Sequence, residues 1–126
     1  MAFEVTLVGG LPNFAAATDL SAKKDLFVNI NAIGVTVADV RSTQTSIGRA
    51  YVLDSSPTSG NPAALHGAPN IKKVIAGEAI TLGNFVQVMS ATGLAGKVAT
   101  GSDTYRVGVA WSTAAGSGEY LSVQLV

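Results

Sequence analysis

The stretch ITLGNFVQVMSATG, Ile80 to Gly93, alternates apolar with polar residues and runs into a glycine turn. It has an earlier echo in AKKDLFVNINAIG, Ala22 to Gly34. Phe85-Val86-Gln87-Val88 follows Phe27-Val28-Asn29-Ile30 by 58 positions (85 − 27). Alternation of period two is the signature of a half-buried strand, so the echo reads as one strand written twice. A unit of a few short strands cannot bury its apolar face alone, whereas two such units packed together can. The expected fold is therefore all-β, a small β-barrel or sandwich built from two pseudo-repeated short-strand units over a shared core.

The echo extends along the chain. Phe27-Val28 is followed by Ile47-Gly48, Gly60 and Ala63-Ala64-Leu65; Phe85-Val86 is followed by Val107-Gly108, Gly118 and Leu121-Ser122-Val123, at nearly the same spacing. Tyr105, Val107, Val109 and Trp111 share one strand face, as do Leu121, Val123 and Leu125. Breaks such as SPTSGNP (Ser56–Pro62) and AAGSGE (Ala114–Glu119) separate these runs. The expected division is an N-terminal arm over 1–18, a first β unit over 19–70 and a second over 71–126, in one compact domain, with APNIKKVIAGE (Ala68–Glu78) as the crossover. On the arm, Phe3, Val5 and Leu7 share a face opposite Glu4 and Thr6. Such a face is expected to add a strand to a neighbouring subunit, the alternative being an ordinary strand of the protein's own sheet. The one helical candidate is NFAAATDLSAKKDL, Asn13 to Leu26, where Asn13, Asp19 or Ser21 could cap a turn or two.

Composition narrows the function. Of 126 residues, 13% are charged, about half the usual fraction, and eight basic residues balance eight acidic ones. No basic field is available for nucleic acid or an acidic membrane. Cysteine is absent, so disulfides and thiolate metal sites are impossible. The opening MAFEVTLVGG lacks the basic start of a signal peptide, and no apolar run approaches a bilayer span. A soluble protein is expected.

Few residues can carry chemistry. His66 is the sole histidine and has no G-x-S-x-G nucleophile context, so it reads as a loop or surface histidine. One histidine with scattered carboxylates makes a poor metal set. Two of Glu4, Asp19, Asp25, Asp39, Asp54, Glu78, Asp103 and Glu119 could meet in the fold, but most neighbour turns, where acidic side chains are expected anyway. GLAG and GSGE lack the Lys-Ser/Thr of a phosphate loop and read as turns. Lys72 and Lys73 are adjacent, so on a strand one of them must face inward or into a contact; lysine protection of an edge strand is the favoured reading. Trp111 reads as a core or interface anchor in preference to a ligand-stacking platform. No enzyme, cofactor, metal or small-molecule substrate is expected.

The second half also resembles a family of tailed-bacteriophage head proteins, the capsid decoration or cement proteins. Lys73-Val74, Ala76-Gly77, Ala79-Ile80, Gly83 and Val86 match the family's first block; Val107-Gly108 and Ala110 match the second. Ala115, Gly118-Glu119, Val123 and Leu125 match the third, and DLSAK (Asp19–Lys23) resembles the family's opening before a strand. Arg49 departs from the pattern, since an apolar residue more often follows the glycine held here by Gly48. The resemblance implies an all-β protein on the outer surface of the virion capsid, assembled in the host cytoplasm and often a trimer, that clamps neighbouring major capsid protein subunits. Phe3, Val5, Leu7 and Phe14 are then the expected partner contacts, with a capsid subunit or a second protomer as the partner. A surface module recognising carbohydrate or a host surface is the alternative.

Overall fold

The computed structural model describes residues 2–7, 11–31, 34–37, 51–89, 92–98 and 106–126, with backbone alone at 11–13 and 31. Among the described residues there is no helix. The strands are β1 (Leu11–Ala15), β2 (Phe27–Asn31), β3 (Gly34–Val37), β4 (Tyr51–Leu53), β5 (Pro62–His66), β6 (Ile71–Ile75), β7 (Phe85–Val88), β8 (Ala95–Lys97), β9 (Gly108–Ala110) and β10 (Tyr120–Leu125). They form two five-stranded sheets, ordered β1-β5-β4-β2-β3 and β6-β10-β9-β7-β8. All the pairings are antiparallel. The two orders are the same once each strand number is raised by five.

The registers of corresponding strand pairs can be set side by side. Phe27 stands opposite Val52 and Val28 opposite Tyr51; Phe85 stands opposite Val109 and Val86 opposite Gly108. Tyr51, and not Gly48, therefore holds the place of Gly108. Ile47, Gly48 and Arg49 lie outside the described residues, as does Tyr105. Just past each first strand, one alanine forms a parallel bridge to the far edge of its sheet, Ala16 to Val35 and Ala76 to Ala95.

Alternation explains which side chains go inside. Val28, Ile30, Val35, Leu53 and Leu65 pack together on the inner face of the first sheet. Val74, Val86, Ala110, Leu121, Val123 and Leu125 do so in the second. The expected single shared core is instead two clusters, each drawn mainly from one sheet. The halves are joined from outside the first sheet. Phe27 and Val52 point away from that sheet's own cluster, yet both have no exposed surface, because they pack into the cluster of the second. Burial of a phenylalanine of this kind contributes about 1.5–3 kcal/mol.

The helical candidate is not helical. Its donors are taken by residues distant in sequence: Ala16 N–H bonds Asn61 O, Ala17 N–H bonds Val35 O and Leu20 N–H bonds Pro57 O, all at 2.9 Å. Asp19 does cap, but it caps a turn, accepting from Ser21 N–H at 3.0 Å. The expected 1–18 arm is also shorter in the structure. β1 lies within those residues, and Phe14, expected to touch a partner, packs against the first cluster.

Candidate functional site

Two features on the second half hold the side chains of interest. One is the N-terminal segment 2–7, which lies on the chain's own second sheet. Val5 and Ile71 exchange backbone hydrogen bonds at 2.8 and 2.9 Å, giving the open edge of β6 a short partner. From there the segment crosses the outer face: Ser122 Oγ donates to Phe3 O at 2.7 Å and accepts from Phe3 N–H. Ser122 faces outward on β10 but is wholly buried, because this segment covers it. Phe3, Val5 and Leu7 remain exposed. Leu7 is the most exposed of the three, although its N–H donates to Asn70 Oδ1.

The second feature is a knot of charge where segment, first sheet and second sheet meet. Lys72 shares the inward face of β6 with Val74, and its side chain is 3% exposed. Its Nζ lies 3.2 Å from Glu4 Oε2 and 3.6 Å from Asp54 Oδ2. Lys73, one residue on, faces outward over the Tyr120 ring. The inward alternative for one of the two lysines therefore holds. Lys72 does not act as edge protection; it neutralises a junction. Asp25 completes the group: Glu4, Asp25 and Asp54 each present an oxygen within 4.8 Å of the others. The sequence left open whether any carboxylates would meet; three do, drawn from three separate elements.

The electrostatics differ across the knot. Burial tends to raise the Glu4 carboxyl. A hydrogen bond from Lys73 N–H at 3.0 Å and the Lys72 ammonium outweigh it and hold Glu4 below its ordinary value. Asp25 is buried, and burial pushes its carboxyl up against the pull of Lys24, with the nearby Glu4 charge adding to the rise. His66 presents Nε2 to Asp54 Oδ2 at 3.3 Å and Nδ1 to the Asn70 amide at 3.4 Å. A carboxylate and an amide on its two nitrogens fit a histidine that links β5 to the junction. A buried ammonium among carboxylates makes an electrostatic clamp, and the Lys72 charge opposes a metal cation at the same carboxylates.

Beside the clamp lies an apolar outer face. Phe85 is 44% exposed and Trp111 46%, which overturns the core half of the core-or-interface expectation for Trp111. The reason is positional: Trp111 follows β9 on the same side as Val109, which faces outward. The Phe3 ring stands edge-on to the indole, centroids 6.5 Å apart. Exposure of Trp111 was not legible from alternation, which says that residues share a face and not which side is covered. No protein-family model matches the chain, and no curated protein matches it.

Proposed function

We propose that this chain is a virion structural protein that binds the outside of a tailed-phage head and cements neighbouring major capsid subunits. The observation that carries the reading is the surface of the second half. Phe3, Leu7, Phe85, Trp111 and Tyr120 stand exposed on a chain with few charges, a surface made for contact. The resemblance supports it, because its positions build the second sheet. Val74, Ala76, Ile80, Val86, Ala110, Val123 and Leu125 are core residues, and Gly83 and Gly118 take the positive φ of turns.

In this reading the two sheets are duplicated units, each closing into a small barrel through its alanine bridge. Binding to the assembled shell, and not to separate subunits, stabilises the head by mass action, with many weak copies acting on one particle. The exposed side of the N-terminal segment, Phe3, Val5 and Leu7, faces the capsid, and protomers associate, as trimers at three-fold positions. No enzyme activity, cofactor, nucleic acid or membrane enters the mechanism.

The test is decoration of purified heads that lack the protein. Expected are saturable binding to shells, none to free capsid subunits, and a raised temperature of shell disassembly. Leu7→Asp is expected to lower occupancy at least about tenfold, equivalent to about 1.4 kcal/mol. Heads that stay bare at saturating protein overturn the proposal. The exposure of Trp111 favours one second reading, a carbohydrate- or host-binding module on the virion, and a glycan array with no signal disposes of it.

A further inference from the structure

The N-terminal segment is held mainly by polar bonds. Phe3, Val5 and Leu7 stay exposed, so seating the segment buries little apolar surface. Its backbone bonds to Ile71, Ser122 and Asn70, and its one charged side chain, Glu4, reaches into the charge knot. There Glu4 Oε2 meets Lys72 Nζ and accepts from Lys73 N–H, both on β6. Two further carboxylates lie close by from the first half, Asp25 just before β2 and Asp54 just after β4. Asp54 Oδ2 is 3.6 Å from Lys72 Nζ and 3.3 Å from His66 Nε2 at the end of β5. Lys24 and Lys73 also bear on Asp25, and the Tyr120 hydroxyl of β10 bonds to it.

Glu4 is thus pulled two ways. The sealed Lys72 ammonium and the Lys73 N–H favour its charge in the seat, and the Asp25 charge opposes it across a short distance shielded from water. The backbone bonds of the segment carry no charge, so its response to pH rests on the balance at Glu4. We infer that segment 2–7 is a charge-gated strap, which Glu4 locks on to β6 and the Asp25 carboxylate works to loosen. Opening the strap bares the β6 edge and Ser122. The two carboxyls respond in agreement with this arrangement. Glu4 is held below its ordinary value, and the Glu4 charge adds to the burial that pushes Asp25 above its own. By linkage, protonation of Glu4 releases the strap, whereas protonation of Asp25 tightens it. The inference holds wherever the protein works, because it rests on the knot alone.

The experiment is amide hydrogen exchange of the full chain at pH 7. Strap opening is read as protection at Ile71, whose N–H bonds Val5 O; Ala114, whose N–H bonds Ile80 O away from the knot, reports on the sheet. Ala114 is expected to stay at least about tenfold better protected than Ile71 in every variant, which marks the opening as local. Glu4→Gln keeps an acceptor for Lys73 N–H but removes the charge, and is expected to lower Ile71 protection at least about fivefold. Asp25→Asn is expected to raise it at least about twofold. With both substitutions together the gain from Asp25→Asn is expected to vanish, since no Glu4 charge is left to repel; a merely structural effect of Asp25→Asn would persist. The native chain gives a second reading. Its Ile71 protection should fall as pH drops below the folded Glu4 value, and Glu4→Gln should lack that fall. An Ile71 amide unprotected in the native chain or unchanged by Glu4→Gln would overturn the inference. So would an Asp25→Asn gain that is absent or equal in both backgrounds, a fall with pH that Glu4→Gln retains, or equal protection at Ile71 and Ala114.

Discussion

Lys72 shows how one side chain can hold three elements together. Its ammonium is nearly sealed from water, with Glu4 of the N-terminal segment and Asp54 of the first half within ion-pair distance. Removing one member of such a group leaves the others desolvated without compensation, which costs far more than an exposed pair is worth. Lys72→Met, close in length but uncharged, is expected to lower stability by about 3 kcal/mol in urea unfolding at neutral pH. The two shifted carboxylates pull in opposite directions with pH. Glu4 is held below its ordinary 4.5, so its contribution is fully present above that pH and is lost as pH falls through the folded value. Asp25 is raised above its ordinary 3.8, so its contribution is present below that pH and is lost as pH rises through the folded value. Asp25 therefore destabilises the neutral protein. Asp25→Asn is expected to raise the unfolding midpoint at pH 7, with the gain vanishing near pH 3, where Asp25 is protonated in both states. Asparagine also tolerates the positive φ of 67° found there. A fall in the midpoint at pH 7 would show that the Asp25 charge is needed by its neighbours. Adjacent lysines on a strand had to point to opposite faces, so an inward lysine was one reading the sequence offered, although edge protection was the favoured one. Its partners were not legible, because Glu4, Asp25 and Asp54 are brought together only by pairing between distant strands.

Strands were legible in some of the alternating runs, whereas the alternating Phe3–Leu7 segment makes only an isolated bridge at Val5. Phe85–Val88 and Tyr120–Leu125 formed as the pattern implies, with Val86, Val88, Leu121, Val123 and Leu125 buried. Alternation failed over Asn13–Leu26, where alanines, an Asp-Leu-Ser turn and two lysines also suit a helix. There the backbone donors of Ala16, Ala17 and Leu20 decided the outcome by bonding to residues the local sequence cannot see. The N-terminal segment is a second such case. Its apolar face was legible, but the sequence could not say whether it pairs within the chain or outside it. In the structure it covers Ser122 and lends its Glu4 to Lys72. Deleting residues 1–7 is expected to lower the thermal midpoint and to speed amide exchange at Ile71 and Lys73, whose N–H groups lose Val5 O and Glu4 Oε2. Unchanged exchange at both amides would mean that the segment is not seated on β6 in solution. The turn before β8 is equally constrained. Gly93 has φ 70°, and a Cβ there would lie 2.8 Å from Phe27 O and 2.9 Å from Val37 Cγ1. Gly93→Ala should therefore cost about 2 kcal/mol or more, since both backbone and packing must give, and the loss should be read at the junction between halves.

Across the molecule, the repeated motif and the packing make different demands. The echo of Phe27-Val28 in Phe85-Val86 implied two similar units, and the strand orders agree with one another to the last strand. What the echo could not carry is the asymmetry between them, because identical residues at matching places do not share surroundings. The first half fills its own interior while the second takes in Phe27 and Val52 of the first, so the strength of the joint rests on the few side chains that cross it. Phe27 and Val52 are the apolar ones, Gly93 and Ile75 make the backbone links, and the Lys72 clamp closes the polar side. This division predicts unequal consequences for one substitution made at two corresponding places. Phe27→Ala opens a cavity inside the second cluster and is expected to cost about 3–5 kcal/mol. It should also lower protection of β7 and β8 in hydrogen exchange, although neither strand is in the half that was changed. Phe85→Ala, measured at a concentration where the chain is monomeric, removes a ring already 44% exposed and should cost less than about 1 kcal/mol. Chemical unfolding of both variants, followed as one transition, makes the comparison directly. Similar losses at the two positions would mean that Phe85 is covered within a single molecule, and that the two halves meet in some other arrangement than outward face against interior.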